Sequence, residues 1–266
     1  MKPIKPTCSL VTPTYNWPNA LELLLISVKK QTVLPDEVII ADDGSDEKTT
    51  QLIQTFQADF PVPIIHIWHE DQGNRKPKIM NKAIASSNYD YIIEIDGDII
   101  LHPNFIEDHL TYANLNTYLF GSRVNIQKRI LNQIFKYKIT SFGFFSKGIK
   151  KRGRTLRIPL LMYFSKTQEN RSPKLRGCNM SFWKKDFISV NGFNEKLTGW
   201  GIDDSEMIQR LHNIGIVGRR LKNVGIVYHI HHTEQDKSHI HENLLIEKET
   251  SERKIKFIES GINQYL

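Results

Sequence analysis

Short apolar runs rich in β-branched residues alternate along the first half of the chain with stretches whose apolar residues recur at helical spacing. Residues 8–12 (CSLVT) predict a buried strand, broken by Pro13-Thr-Tyr-Asn16. Asn19 is placed to cap a helix through Lys30, with Leu21, Leu24, Leu25 and Val28 on its inner face. Residues 37–41 (EVIIA) predict a second strand ending in Asp42-Asp-Gly-Ser45, and Asp46 caps a helix carrying Leu52, Ile53 and Phe56. Ile64–Trp68 is a third strand and 77–86 a helix with Ile79, Ala83 and Ile84 inward. The β-branched stretch 89–100 (YDYIIEIDGDII) reads as a strand buried on both faces. A helix over 103–114 and a strand over 118–124 come next. Strand–helix alternation with short connections predicts an α/β protein with a mostly parallel central sheet flanked by helices.

Ligands bind such sheets at the carboxyl ends of the strands. The polar clusters 12–16, 42–45 and 96–98 fall there. In the last, Asp96 and Asp98 flank Gly97 where the apolar run ends. Two carboxylates at that place are costly without a cation between them, and a hard divalent ion suits them. Gly97 allows the backbone to bend so that both aim at one point. No glycine-rich dinucleotide fingerprint follows the first strand and no P-loop motif occurs, which argues against nicotinamide, flavin and P-loop chemistry. Tyr15 offers a ring to stack on a base and Asp43 a carboxylate to accept from a base N–H.

Charge changes the picture in one region. The chain has 36 Lys+Arg against 29 Asp+Glu, a net of +7, with 39% apolar residues. Residues 126–176 hold fourteen Lys/Arg and one acid, Glu169, leaving the remainder mildly acidic. Seven aromatics, among them Phe142, Phe145, Tyr163 and Phe164, interleave with these cations. That mixture suits an anionic membrane surface or an acceptor such as a lipid diphosphate or polysaccharide. No recognised nucleic-acid motif accompanies it, so nucleic acid is not expected as a partner. Two widely spaced cysteines, Cys8 and Cys178, form no disulfide framework and fit a reducing compartment. The opening residues lack the apolar core of a signal peptide, and no stretch approaches bilayer length, so a cytoplasmic protein is expected, peripheral at the inner face of the membrane.

The second half adds candidate chemistry. Residues 177–182 (GCNMSF) are small, polar and irregular, a wall close to a ligand that includes Gly177 and Asn179. In 199–204 (GWGIDD) Gly199 and Gly201 permit close approach, Trp200 gives a flat apolar face, and Asp203-Asp204 start a helix through Leu211. Helix-start acids are favoured by the dipole. Capping explains one of them, whereas a sugar site explains both acids and the aromatic. Val217–Arg220 and residues 224–228 predict late strands, and His229, His231 and His232 come directly after. The segment from Ile240 onward predicts one charged amphipathic helix that packs on the domain or supports a homodimer.

The set V-T-P-T-Y-N, A-D-D-G-S, G-N-R-x-x-K-x-x-N-K-A-I and I-D-G-D resembles the nucleotide-sugar half of family 2 glycosyltransferases over roughly the first 125 residues. The resemblance implies the GT-A fold: a Rossmann-like sheet, a smaller acceptor-side subdomain, and Mn²⁺ or Mg²⁺ held against a UDP-sugar. It places Pro13, Tyr15 and Asp43 at the uracil, Arg75 and Lys78 near the nucleotide, Asp98 on the metal, and Asp96 on the ribose or the metal. Where the family often has Ala-Arg-Asn, this chain has Ile79-Met80-Asn81, and Arg75 is the expected donor-binding cation.

Residues 177–182, 191–195 and 199–206 resemble the donor–acceptor half of chondroitin-polymerase-like and β-1,4-galactosyltransferase-like enzymes. That likeness puts the catalytic base on Asp204 and an acceptor- or donor-binding acid on Asp203, with inversion at the anomeric carbon. It makes His229 the third metal ligand, with His231 sharing its face by strand period as the alternative. The domain reading is a nucleotide-sugar-binding half (1–125), a basic aromatic insert (126–176), a donor/acceptor and catalytic half (177–235) and a C-terminal helix (236–266). The expected activity is transfer of a hexose or N-acetylhexosamine to a glycan or lipid-linked saccharide in bacterial-type surface polysaccharide synthesis. The rivals are a nucleotidyltransferase, which has no use for Gly-Trp-Gly-x-Asp-Asp, and a non-catalytic carbohydrate- or membrane-binding module.

Overall fold

The computed structural model describes residues 5–233, 236 and 238–266. Its elements run β1 (Cys8–Thr14), α1 (Pro18–Lys29), β2 (Glu37–Asp42), α2 (Glu47–Ala58), β3 (Ile64–Trp68), α3 (Lys76–Ala85) and β4 (Tyr91–Ile95). Next are β5 (Ile99–Leu101), α4 (Phe105–Tyr112), β6 (Thr117–Phe120), β7 (Arg123–Ile126), α5 (Leu131–Tyr137), β8 (Ile149–Lys150) and β9 (Thr167–Gln168). The last are β10 (Asn179–Trp183), α6 (Lys184–Ser189), α7 (Asp203–Asn213), β11 (Val217–Arg220), β12 (Val227–His229) and α8 (Ile240–Glu252).

The expected α/β architecture is present: an eight-stranded sheet of order β3-β2-β1-β4-β10-β6-β11-β9 carries helices on both faces. β1 to β4 are mutually parallel; the residues of β1, β2 and β4 are almost all buried, as their continuous apolar runs required, whereas the edge strand β3 is mostly half-buried. On one face α1, α2 and α4 close a core around Leu10, Leu24, Val38 and Ile93. On the other, α3, α6 and α7 pack over Val11, Ile92, Met180 and Phe182. A second sheet, β5-β12-β7-β8, stands beside the first and shares a core with α1 and α5 through Leu23, Ile100, Ile134 and Tyr228.

Several local expectations change. Asn19 lies inside the first turn of α1, which starts at Pro18 without a side-chain cap; proline's fixed φ and missing N–H suit that position. Asp46 does cap α2, accepting from the Thr49 N–H at 3.3 Å. Residues 89–100 form two strands in different sheets, because the chain turns at Asp96–Asp98 and crosses from β4 to β5. Residues 118–124 likewise divide between β6 and β7. The wall expected to be irregular at 177–182 is largely the central strand β10, antiparallel to both β4 and β6, so the middle of the sheet is mixed. The basic insert is tied to both sheets, through β8 on β7 and β9 on β11, with Phe142 buried against Tyr228. The terminal helix ends at Glu252, with Asn243 and Thr250 its buried residues. Among the described residues no helix is long and apolar enough to cross a membrane.

Candidate active site

The carboxyl ends of β1, β2 and β4, the start of α7 and the end of β12 open into one cleft of about 1060 Å³. Two tight approaches shape it. A Cβ on Gly97 would lie 2.3 Å from the Pro13 carbonyl oxygen, so only glycine lets the 96–98 turn close against β1. That close approach, rather than a left-handed backbone, is what Gly97 supplies. A Cβ on Gly177 would lie 1.4 Å from Asp204 Oδ2. The carboxylate of Asp204 therefore occupies the space that any larger residue at 177 would fill.

Asp96 and Asp98 do not aim at one point. Asp98 faces two imidazoles: its Oδ2 lies 3.2 Å from His229 Nε2 and 3.1 Å from His232 Nε2. The backbone sets this pairing, since β5 and β12 run antiparallel with His229 opposite Ile99, and the Ile230 N–H donates to the Asp98 carbonyl at 2.9 Å. One ligand atom from each of Asp98, His229 and His232 lies within 4.8 Å of the others. Asp98 Oδ1 is buried without a hydrogen-bond partner among the described residues, an acceptor in want of a cation. Burial pushes His229 toward its neutral, ligating form against the pull of Asp98, whereas the hydrogen bond to Asp98 raises His232. One carboxylate and two imidazoles fit a divalent transition ion, and imidazole favours Mn²⁺ over Mg²⁺. His231 is exposed on the rim of the cleft and stands outside this cluster, so the second imidazole is His232.

Asp96 turns instead to Lys76, at the first position of α3. Lys76 Nζ lies 3.4 Å from Asp96 Oδ1, 3.3 Å from Asp203 Oδ2 and 3.5 Å from Asp204 Oδ1. Burial alone would push this ammonium toward neutrality, but Asp203, Asp204, Asp96 and Glu94 together raise it well above its ordinary range. Asp204 moves the other way. Burial, and next the Asp203 charge, lift its carboxyl to about 7 despite Lys76. Glu94, the single acid inside the apolar strand β4, is buried with neither carboxylate oxygen hydrogen-bonded among the described residues, and burial drives it strongly toward protonation.

The acids of α7 are held rigidly. Glu206 and Arg210 form a fully buried pair at 2.7 Å. Arg210 also donates to the carbonyls of Val190 and Gly192, and Glu206 Oε1 accepts from Thr250. Just before the helix, Ile202 has φ 79°, a conformation a β-branched residue adopts only under constraint. Gly199 at φ 73° and Gly201 at φ 92° flank Trp200, which is 44% exposed on the cleft wall.

The residues expected around the nucleotide divide. Pro13, Tyr15 and Asp43 line the cleft. The Tyr15 hydroxyl donates to Asp71 at 2.9 Å, leaving its ring half exposed. Asp43 is mostly committed, with His69 Nε2 at 2.6 Å and the Arg75 N–H at 2.8 Å. Arg75 and Lys78 do not line the cleft; the Arg75 guanidinium donates to Gln72 and the Glu70 carbonyl. Lys76 is the α3 cation that enters. Asn179 is fully buried in the sheet, bonded to His109, Ser122 and Gly225, and its role is structural rather than ligand-facing. Sequence reading missed Lys76, Glu94 and His232. Glu94 carried a signal, a lone carboxylate in a buried run; Lys76 carried none, lying in a polar stretch of several cations.

The pattern of glycosyl transferase family 2 matches residues 9–170, and that of the N-terminal domain of galactosyltransferase matches residues 161–233. The chain belongs to glycosyl transferase family 2 and has the GT-A fold. Chondroitin synthase of Escherichia coli is 27% identical over 241 residues, covering 83% of this chain and 34% of that protein. Validoxylamine A glucosyltransferase of Streptomyces hygroscopicus subsp. limoneus is 26% identical over 226 residues, covering 79% and 49%. The chain thus spans half or less of the length of these relatives. Among solved structures, Pyrobaculum calidifontis mannosyltransferase PcManGT with GDP-Man and Mn²⁺ aligns at TM-score 0.63 and 15% identity, covering 95% of this chain and 66% of that one. GalNAc-T7 with UDP, GalNAc and Mn²⁺ aligns at TM-score 0.62 and 16% identity, covering 87% and 45%.

Proposed function

We propose that the chain catalyses inverting, metal-dependent transfer of a hexose or N-acetylhexosamine from a UDP-sugar to a saccharide hydroxyl, in assembly of a bacterial-type surface polysaccharide. The observation that carries this reading is Asp204, a carboxyl lifted to about 7, in the same cleft as the Asp98–His229–His232 cluster. A general base works best with a pKa near the operating pH. Likeness to chondroitin synthases over most of the chain supports a glycan acceptor, and the solved neighbour holding UDP, GalNAc and Mn²⁺ supports a UDP-sugar donor.

Asp98, His229 and His232 would hold the divalent ion, which when bound supplies positive charge for the leaving diphosphate. Tyr15 stacks on the base, with Pro13 beside it and Asp43 buttressing the pocket through His69 and the Arg75 backbone. Trp200 and the glycines at 199 and 201 bear on the sugars, and Asp203 orients an acceptor or donor hydroxyl. Asp204 removes the proton from the acceptor hydroxyl as its oxygen bonds to the anomeric carbon from the face opposite the departing UDP; the bond from that carbon to the diphosphate oxygen breaks. Gly177 leaves the room in which this carboxylate sits.

The test is Asp204→Asn with a panel of UDP-sugars, assayed for UDP release with and without Mn²⁺. The variant should fold, bind Mn²⁺ and UDP, and lose transfer by about 10²–10⁴-fold, the scale of a lost general base. Turnover near wild type would remove Asp204 from the role.

A further inference from the structure

A second cavity, of about 460 Å³, lies outside the cleft. Its nine lining residues include five cations, Lys151, Arg152, Arg154, Arg220 and Lys222, and no acid. Arg154 Nη1 donates to the Arg123 carbonyl at 2.9 Å, and Arg123 lines the cleft, so the two cavities are neighbours. The cations are presented by built structure. The turn at Arg152–Thr155 is held by the Thr155 hydroxyl on the Arg152 carbonyl, and by Asn223 Nδ2 on the carbonyls of Gly153 and Leu156. Arg220 Nε is buried with no hydrogen-bond partner among the described residues. Burial, with Arg220, Arg176 and Arg123 adding to it, pushes Arg154 below its ordinary range, as expected of cations lacking a counter-charge.

An apolar strip adjoins these cations. The turn Pro159–Phe164 is anchored by Met162, buried against Leu119, Leu221 and Val224. Lys222 Nζ donates to the Phe164 carbonyl at 2.9 Å, tying the strip to the cavity floor. On its outer side Leu160 is 70% exposed, Tyr163 86% and Phe164 73%. Large apolar side chains held in solvent beside an uncompensated cationic hollow match one surface well, an anionic lipid layer. Guanidinium groups take phosphate oxygens in bidentate fashion, and leucine and aromatic side chains enter the acyl boundary.

We propose that this cavity binds a phosphate or diphosphate group carried on a lipid, with Leu160, Tyr163 and Phe164 against the lipid's apolar part. This goes beyond sugar transfer, and it stands or falls without the base assignment, because binding is measured with no donor present.

The experiment is sedimentation of the full chain with vesicles of phosphatidylcholine, with or without phosphatidic acid, using inorganic pyrophosphate and a short single-stranded oligonucleotide as competitors. Wild type should bind the phosphatidic acid vesicles and not phosphatidylcholine alone. Lys151→Gln with Arg152→Gln, both exposed, should weaken vesicle binding about thirtyfold, from roughly a kilocalorie per mole for each cation near an anionic surface. Leu160→Ser with Tyr163→Ser should weaken vesicle binding while leaving pyrophosphate binding by calorimetry unchanged. Unchanged melting temperatures establish that both double variants are folded. Vesicle binding that survives the charge variant overturns the site. Pyrophosphate binding without vesicle binding overturns the lipid, and so does oligonucleotide binding stronger than vesicle binding and indifferent to the apolar variant.

Discussion

The carboxylate of Asp204 rests over the α-carbon of Gly177, so close that a methyl group on Gly177 would lie 1.4 Å from Asp204 Oδ2. Gly177→Ala must drive that side chain out of its position. The sheet beyond it, from Asn179, needs no change, so the variant should fold. Initial rates of transfer should fall about a hundredfold, the cost of displacing a catalytic group by about an ångström. An alanine variant with wild-type rates would mean that the position of Asp204 is irrelevant to turnover.

The pH profile derives from the same carboxyl. Burial and Asp203 lift Asp204 to about 7, and a base must be ionised, so kcat/KM should fall with unit slope as pH drops below about 7 and level off above it. The stability consequence has the opposite sense. A carboxyl whose folded pKa lies above its unfolded value stabilises the fold below the unfolded pKa, and that stability is lost as pH rises through about 7. Asp204→Asn should therefore melt higher than wild type at alkaline pH and show no such gain at acid pH. Calorimetric scans at the two extremes check it; an equal shift at both would show that the ionised carboxylate is not the source.

Removal of metal should separate the histidines. With one carboxylate and two imidazoles as donors, Mn²⁺ should raise the melting temperature of wild type and of His231→Ala, since a ligand bound only by the folded state stabilises it. Asp98→Asn, His229→Ala and His232→Ala should each lose that shift, and chelation should stop transfer until Mn²⁺ is restored. A shift that survives His232→Ala but not His231→Ala would exchange their assignments.

Lys76 holds Asp96, Asp203 and Asp204 around one ammonium. Lys76→Met leaves these acids facing one another with Glu94 behind them. Because Lys76 keeps some exposure, the cost should be about 2 kcal/mol, below that of breaking a fully buried pair. On a chain of this size that is a fall in melting temperature of about 4–8 °C at neutral pH. The fall should shrink as pH drops below about 7, where Asp204 protonates and one charge of the cluster is gone. Lys76→Arg should restore most of the stability, and a methionine variant as stable as wild type would show that the fold does not depend on the ammonium among these acids.

Much of the cleft could be read in advance because its walls are strand ends. The runs that became β1, β2 and β4 are apolar enough to be buried, and each gives way to a polar cluster, so Tyr15, Asp43, Asp96 and Asp98 had to emerge at one edge. Gly177, Trp200 and Asp204 were legible through motif likeness. Arg75, Lys78 and Asn179 were misplaced because direction within a turn, or across the faces of a strand, does not follow from residue type. Arg75 precedes α3 and turns outward to Gln72, while Lys76, one residue later, turns in.

The pattern of apolar and polar residues by itself determined the α/β class, the parallel first half of the sheet and the edge at which the cleft opens. Those features come from burial, which acts on each segment separately. The insertion of β10 between β4 and β6, the choice of His232 over His231, and the ring of acids around Lys76 were decided by the tertiary structure alone. Each depends on the register between segments far apart in the chain, and register is fixed by pairing and close packing, which no local period records.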